Sequence, residues 1–233
     1  MARIDKSKLT KLEIIQVATK KFVEKGFSNT SIKAISDELH MSTGNVTFYF
    51  PSKEHLLAEL VDILCDFQWK LMEEEISGGR SSIMAIGLEM VAMAVVCEND
   101  EMAKDLYISA YTSPLSLEII RKNDTKRAKE LFMEYCPDWT GEQFVEAETL
   151  VSGIEYATLM TTGDSLPLDV RIAGAINAIL RIYNVPEEMI SKTLEKVLAM
   201  DYHKIAKRVL KEFKVYVENT TEQAFYDLLK SKE

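Results

Sequence analysis

Length, composition and charge limit the class of this chain. Its 233 residues are 47% hydrophobic, which is enough to build one small and one larger packed module. The net charge of −9 is uneven: residues 1–55 carry nine Lys or Arg against six Asp or Glu, and residues 56–233 carry 19 against 31. This excludes a uniformly basic surface, and it is typical of a small nucleic-acid-binding module on an acidic body.

The cysteines and the apolar stretches indicate the compartment. Three cysteines are widely spaced and form no CxxC pair, so they are expected to be buried thiols in a reducing environment. The N-terminal residues lack the apolar core of an export signal, which predicts a cytoplasmic protein. Residues 83–97 are apolar but are interrupted by Glu89 and fall short of the roughly 20 residues that span a bilayer, so we expect a buried helix and no membrane partner.

The first two predicted helices follow from spacing and from helix-ending residues. Apolar side chains recur at helical spacing over residues 12–23, and Gly26 ends this amphipathic helix. Thr30 or Ser31 offers a hydroxyl N-cap for a second, short helix that reaches about residue 39.

The next two predicted helices follow a turn at His40. Ser42 caps a third short helix, which runs through about residue 48. Pro51 then breaks the chain, and a long fourth helix extends over residues 53–76 without a flexible linker. The fourth helix is therefore expected to join a small N-terminal module directly to the rest of the chain.

The remainder of the chain predicts helices only. Prolines and glycines lie at the expected boundaries, and Thr140 with Gln143 forms the pattern of a capping box. We therefore predict an all-α protein, with a three-helix head in residues 1–52 and a larger helical bundle in residues 53–233. The further helices are expected near residues 81–97, 101–112, 115–135, 141–162, 168–184, 187–200 and 202–218, with a short one near 221–230.

Three helices with a tight turn between the second and third form a helix-turn-helix, whose third helix enters the major groove of DNA. Residues 22–57, FVEKGFSNTSIKAISDELHMSTGNVTFYFPSKEHLL, resemble the DNA-binding domain of the TetR/AcrR family of bacterial repressors. The resemblance covers about the first 60 residues. The positions that carry it are Phe22, Gly26, Phe27, Thr30, Ser31, Ile32, Ile35, Ser42, Gly44, Tyr49, Phe50, Ser52, Lys53 and Glu54.

The residue types in the third helix also suit DNA contact. Gly44 lets the first helical turn approach DNA closely, and Asn45 is able to make a bidentate contact with adenine. Phe48 suits contact with a thymine methyl group. The alternative for Phe48 and Tyr49 is packing in the core of the protein. The alternative for Lys33 and Lys53 is a solvated surface position. The expected DNA-binding residues are Lys33, Ser42, Thr43, Gly44, Asn45, Thr47, Phe48, Tyr49 and Lys53.

The chain departs from the family pattern at two positions. The family usually has glycine where this chain has His40, in a turn that needs a left-handed backbone, and His tolerates that conformation better than most residues. The family also commonly has tyrosine at the position of Thr47. An aromatic contact in the middle of the third helix is therefore lost.

For the body, the resemblance implies a homodimer that binds a small lipophilic effector. Aromatic and methionine side chains suit such a pocket, but at helical spacing plain core packing is the alternative. Glu89 and Glu155 lie in apolar helices, where each must reach solvent, pair, or await a cationic ligand. The expected effector-binding residues are Trp69, Glu89, Met93, Tyr107, Tyr111, Tyr135 and Glu155.

The resemblance further implies that the helices near 141–162 and 168–184 form the dimer interface, and an intramolecular bundle is the alternative. Small residues that permit close helix approach support it: Ala147, Gly153, Ala157, Ala173, Gly174, Ala175 and Ala178. The basic run on the last long helix, His203, Lys204, Lys207, Arg208, Lys211 and Lys214, is interpreted as a solvated face rather than a second DNA surface.

These patterns predict a DNA-binding transcriptional regulator that is released from a pseudo-palindromic operator by its effector. The alternative is a DNA-binding protein of the same fold whose body binds a protein partner. An enzyme is not expected, because no glycine-rich phosphate loop, nucleophile elbow or metal-ligand spacing is present in the sequence. For the same reason neither a metal nor a cofactor is expected.

Overall fold

The computed structural model describes residues 6–77 and 81–230, and within these ranges it contains helices and no strand. The all-α prediction is confirmed. The helices are α1 (Lys6–Lys25), α2 (Ile32–Glu38), α3 (Thr43–Tyr49), α4 (Lys53–Ser77), α5 (Ser82–Asn99), α6 (Glu101–Thr112), α7 (Pro114–Phe132), α8 (Gly141–Leu159), α9 (Leu168–Ile182), α10 (Glu187–Leu198) and α11 (Tyr202–Lys230).

Local signals place the boundaries of the N-terminal helices where the sequence predicts them. The hydroxyls of Ser31 and Ser42 accept hydrogen bonds from backbone N–H groups three residues later, each at 3.1 Å, and so cap α2 and α3. Gly26 ends α1 with a φ of 83°, and His40 forms the turn between α2 and α3 with a φ of 53°. The left-handed turn expected at His40 is therefore present.

The C-terminal part of the chain corrects one boundary. Helices near 202–218 and 221–230 were expected to be separate, but α11 is continuous over Tyr202–Lys230. The residues at the expected break have low helix propensity, yet the hydroxyl of Thr221 donates to the carbonyl of Val217 at 3.0 Å, one turn back. Because this hydroxyl is satisfied inside the helix, no cap or break forms there.

Helix α5 lies at the centre of the body, in contact with α4, α6, α8, α9, α10 and α11. It is long and apolar enough to cross a membrane by length and composition, and 61% of it is buried inside the protein. This burial against six other helices explains the apolar composition that the sequence shows in residues 83–97.

The head packs directly on the body. Phe22 of α1, Ile35 of α2 and Val46 of α3 are fully buried, and they share one apolar cluster with Leu56 and Leu60 of α4. A second contact comes from α6, where Asp105 accepts hydrogen bonds from both the backbone N–H and the hydroxyl of Ser28 in the turn after α1. The boundary predicted at residue 52 therefore lies inside a continuous core.

Candidate nucleic-acid interface and effector-binding body

The first turn of α3 is exposed. Ser42, Thr43, Gly44 and Asn45 are all exposed, whereas Val46 points into the core. A methyl group placed on Gly44 would meet only the Ser42 hydroxyl, at 3.9 Å, so packing within the protein does not require glycine here. This turn thus presents short polar side chains and open backbone to any partner that approaches it.

The aromatic residues at the end of α3 divide between surface and core. The side chain of Phe48 is 78% exposed, so the core-packing alternative does not hold for it, and Phe50 is buried. Tyr49 is half-buried and meets the Phe48 ring edge-on at 5.2 Å between centroids. Thr47 is also half-buried, and its hydroxyl donates to the carbonyl of Gly44 at 3.3 Å. An exposed phenylalanine beside polar residues suits contact with a partner.

The two predicted lysines differ in their surroundings. Lys33 is 75% exposed in its side chain and pairs with Asp37 at 3.1 Å on the outer face of α2. Lys53 donates to the carbonyl of Phe27 at 2.7 Å, and its ammonium lies 3.9 Å from the centre of the Phe27 ring. Lys53 therefore fastens the start of α4 to the turn after α1, while an ammonium keeps two further donors for a phosphate.

The body contains a buried charge cluster centred on Arg127 of α7. Its guanidinium pairs with Glu89 of α5 and, at 3.1 Å, with Asp124. Two further carboxyls lie in the same region: Glu148 accepts from the Tyr183 hydroxyl, and Glu155 accepts from a tyrosine hydroxyl at 2.8 Å. Four acidic side chains and one arginine thus lie in the same part of the body, around one cavity.

Burial raises the pKa of three carboxyls in this region, those of Asp124, Glu148 and Glu155. Desolvation raises the pKa of Asp124 to about 7, and Arg127 only partly opposes this effect. Desolvation and the charge of Asp124 together raise the pKa of Glu148 to about 8. The pKa of Glu155 is raised well above its ordinary value, chiefly by burial. The cluster is therefore partly protonated at neutral pH.

A cavity of about 260 Å³ lies between α4, α5, α6 and α11. Glu89, Met93 and Tyr107, three of the predicted effector residues, line it. Tyr111 and Glu155 line a narrower cavity of about 10 Å³, which the other three also border. Five of the seven predicted residues are thus brought together in one part of the body.

The other two predicted effector residues lie elsewhere. Trp69 borders neither of these two cavities, and the Arg127 guanidinium lies over its ring, 5.5 Å from the centroid. The Tyr135 hydroxyl donates to the sulfur of Met189 at 3.6 Å, which directs it toward α10. Both side chains pack against other parts of the protein.

Comparison with known sequences identifies the head. A sequence profile of "Bacterial regulatory proteins, tetR family" matches residues 14–60, which span α1 to α3 and the start of α4. The N-terminal domain of this chain is therefore similar to the DNA-binding domain of that family. The uncharacterized HTH-type transcriptional regulator YuxN of Bacillus subtilis (strain 168) is 42% identical over 53 residues, which cover 23% of this chain and 18% of that protein. The matched segment is therefore a small part of the relative.

Comparison with solved structures extends the likeness into the body. The structure of Thermus thermophilus FadR, a TetR family repressor in complex with lauroyl-CoA, is 18% identical and matches 74% of this chain and 92% of its own, with a TM-score of 0.53. A TetR family regulator from Shewanella sp. PV-4 is 19% identical over 74% of this chain and 95% of its own, with a TM-score of 0.47. At such identities the FadR likeness shows that the fold is shared.

The outer faces of α8 and α9, which are expected to hold the dimer interface, carry exposed apolar side chains in the single chain. Leu150 of α8 is 58% exposed, and Leu166, just before α9, is 62% exposed. Methyl groups placed on Gly153 or Gly174 would meet nothing within 4 Å. The same face also carries exposed Val145, Ala157, Met160 and Val170.

Two of the small residues expected on this face lie inside the protomer instead. Ala147 and Ala175 are each 4% exposed and belong to the core. The helical periodicity places them about one third of a turn or more from Gly153 and Gly174, on the sides of α8 and α9 that meet α7 and α5. They help helices within one chain to approach closely.

Sequence reasoning missed several residues of the body. Arg127 and Asp124 lie in a densely charged stretch of α7, where no pattern distinguishes the side chains that point inward. The α11 wall of the larger cavity, from Met200 to Val209, was also missed. The basic run in the sequence was the feature that could have indicated this wall, because two of its members, Lys204 and Arg208, border the cavity.

Proposed function

We propose that this chain is a homodimeric, cytoplasmic TetR-family regulator that binds a pseudo-palindromic DNA operator and is released from it by a small lipophilic effector. The observation that carries the DNA-binding part is the exposed first turn of α3, whose polar side chains and open Gly44 suit the major groove. A twofold dimer places two such helices on two half-sites, which explains the expected symmetry of the operator.

We expect Asn45→Ala to weaken binding to the preferred operator by about 1–3 kcal/mol and to relax specificity at one position of each half-site. The α3 cap uses the backbone N–H of Asn45, so alanine leaves the helix intact. Binding of purified protein to sites selected from random DNA, measured by fluorescence anisotropy, tests this. Lys33→Ala serves as the contrast, because a phosphate contact is lost equally on selected and random DNA. If Asn45→Ala weakens binding to selected and random DNA equally, Asn45 contacts a phosphate and not a base.

The exposed face of α8 supports the dimer. We expect Leu150→Glu to weaken self-association by about 2 kcal/mol or more, since the residue lies twice in a twofold interface and its charge would be buried. Sedimentation analysis at micromolar concentration would show a shift toward monomer. The matched control is Val215→Glu on α11, also an exposed apolar residue, which is expected to leave the dimer intact. A dimer unaffected by Leu150→Glu would place the interface elsewhere.

The cavity and its apolar walls support the effector part of the proposal. Among TetR family structures, FadR was solved with lauroyl-CoA, which makes lipophilic ligands a reasonable first screen for this chain. A thermal-shift screen with lipophilic compounds, followed by release of operator DNA, tests this part. Release by a protein partner alone, with no small molecule found to bind, would favour a regulator whose body binds protein.

A further inference from the structure

The larger cavity has an apolar interior. Helices α4, α5 and α6 supply most of its walls, and the end nearest the core is closed by Met93 and Tyr107, which are buried. Helix α11 supplies the remaining wall. The apolar lining residues are Phe67, Leu71, Met72, Ala85, Leu88, Ala92, Met200, Ile205 and Val209. A hydrocarbon chain suits this interior, because its burial there removes apolar surface from water on both sides.

The rim of the cavity on α11 is basic. Lys204 and Arg208, one turn apart, both line the cavity and are exposed. Asp201 also lines it, but its carboxylate accepts from the backbone N–H of Lys204 at 3.1 Å and so caps the start of α11. The Nε of Arg208 lies 3.7 Å from Glu212 on the same helix, and both side chains remain about half-exposed.

The local charge at this rim has the opposite sign to that of the body. Residues 56–233 carry a net charge of −12, yet the first turns of α11 also contain the exposed Lys207, Lys211 and Lys214. A concentration of positive charge beside an apolar cavity attracts and orients anions in an otherwise repulsive field.

The inner end of the cavity offers no such site for an anion. The carboxylate of Glu89 lines it there and is already paired with Arg127. An anionic group at this depth would lie beside a carboxylate, at a cost in free energy. The two ends of the cavity thus differ in polarity, with an apolar, acid-bordered interior and a basic rim.

We propose that this cavity binds a single-chain amphiphile with an anionic head group, whose hydrocarbon tail lies between α4 and α5 and whose head pairs with Lys204 and Arg208. The inference rests on the proposed function and names the chemical class of its effector. The head chemistry is shared by alkyl carboxylates and alkyl phosphates. The long aliphatic stems of the two basic side chains are able to cover the tail where it leaves the cavity.

Helix α11 also connects the site to the DNA-binding head. Farther along the same helix, Leu210 and Phe213 border a small cavity together with Val23 of α1. Helices α1 and α11 are in extensive contact. A ligand that displaces the first turns of α11 therefore acts on α1, and through the shared core on α3. By linkage, the ligand lowers the affinity for DNA by the same factor by which bound DNA lowers the affinity for the ligand.

Calorimetric titration of the full chain with ten-carbon probes, below their micelle-forming concentrations, tests the head-group preference. The probes are decanoate, decyl phosphate, decanol and decyltrimethylammonium, which share one tail and differ in head charge. We expect decanoate or decyl phosphate to bind at least about tenfold more tightly than decanol and the cation, and the two anions to be distinguished by their relative affinity. Equal affinities for all heads, or tighter binding of the cation, would overturn the proposal.

A double variant and its control locate the binding site of the ligand's anionic head group. The double variant Lys204→Met and Arg208→Met is expected to lose at least about tenfold in affinity for the anionic probe, with decanol binding unchanged. The matched control, Lys207→Met and Lys211→Met, removes the same charge from the same helix at positions that do not line the cavity. Equal losses in both double variants would show general charge attraction instead of a site.

A third variant locates the tail. Ala92→Trp fills the cavity from a half-buried wall position of α5 and is expected to abolish binding of both the anionic probe and decanol. Its thermal unfolding and helicity are measured to show that it is folded. Should it misfold, the smaller change Ala92→Leu, which is expected to weaken both probes, takes its place. Undiminished binding by a folded variant would place the tail elsewhere.

The last measurement is the effect of the anionic probe on operator binding, which we expect to weaken by about 5-fold to 150-fold. Failure here is distinguishable from failure of the proposed function. Operator binding without any anion binding would overturn the ligand class and leave the regulator intact. Anion binding by a chain that selects no DNA site would overturn the function and leave the cavity assignment intact. Tight anion binding with unchanged DNA affinity would overturn the connection through α11.

Discussion

Replacing Arg127 with methionine is expected to lower the free energy of unfolding by about 3–5 kcal/mol at neutral pH. The guanidinium neutralises Glu89 and Asp124, both of which are largely withdrawn from water, and methionine leaves these carboxyls without their cation. Urea denaturation followed by helix circular dichroism measures the change, provided that the transition is cooperative. A loss below about 1 kcal/mol would mean that water reaches the cluster and replaces the arginine.

Two control variants separate the pair from its context. The double variant Arg127→Met and Glu89→Met removes both charges and is expected to recover most of the lost stability, because apolar residues of similar volume often replace a buried pair without cost. Lys192→Met breaks the exposed pair with Glu188, which has side chains 67% and 78% exposed, and is expected to cost less than about 1 kcal/mol. If the double variant is as unstable as Arg127→Met, the remaining carboxyls dominate the loss.

The parts of the fold that sequence predicted are those set by neighbouring residues. The caps at Ser31 and Ser42, the left-handed turn at His40 and the capping box at Thr140 involve groups at most four residues apart, and all are present. Hydroxyl chemistry and backbone geometry determine these features before any tertiary contact forms. The helix-turn-helix was predictable for this reason.

The parts that sequence did not predict depend on distant contacts. Lys53 was expected to bind DNA or to lie on a solvated surface, and its bond to the carbonyl of Phe27, 26 residues earlier, was not predicted. Arg127 resembles its charged neighbours on α7, and only packing against α5 makes it the centre of a buried cluster. The cavity wall on α11 likewise depends on where that helix docks. Helical periodicity identifies a buried face, but it does not say which residues of another helix will meet it.

The acidic cluster also determines how stability depends on pH. Asp124 and Glu148 have pKa values of about 7 and about 8 in the folded protein, above their ordinary values of 3.8 and 4.5. A carboxyl with a raised pKa holds its proton in the folded chain at a pH where the unfolded chain has lost it. Its contribution to the stability of the fold is therefore fully present below the pKa of the unfolded chain, and it is lost as the pH rises through the pKa of the folded chain.

The groups that face these carboxyls do not reverse the predicted loss of stability with rising pH. Glu89 adds negative charge from α5, and the hydroxyls of Tyr111 and Tyr183 have pKa values raised further by burial and by the neighbouring carboxyls, so they stay neutral. Burial likewise keeps the thiol of Cys65 on α4 protonated, since it raises the thiol pKa. Arg127 is the one cation in the cluster among the described residues, and its pKa is raised as well, so its charge is constant.

We therefore expect the free energy of unfolding to fall as the pH rises from about 5 to about 8.5. Each unit of pH between 5 and the folded pKa of Asp124, about 7, corresponds to about 1.4 kcal/mol, so Asp124 alone accounts for a loss of about 3 kcal/mol in this window. Urea denaturation at a series of pH values measures the slope.

Glu148→Gln, which retains an acceptor for the Tyr183 hydroxyl and does not titrate, is expected to flatten the upper part of the curve. Glu146→Gln, an exposed neighbour on α8, is the matched control and is expected to leave the curve unchanged. Stability that rises over this range, or a wild-type slope retained by Glu148→Gln, would show that these carboxyls are ionised in the folded protein.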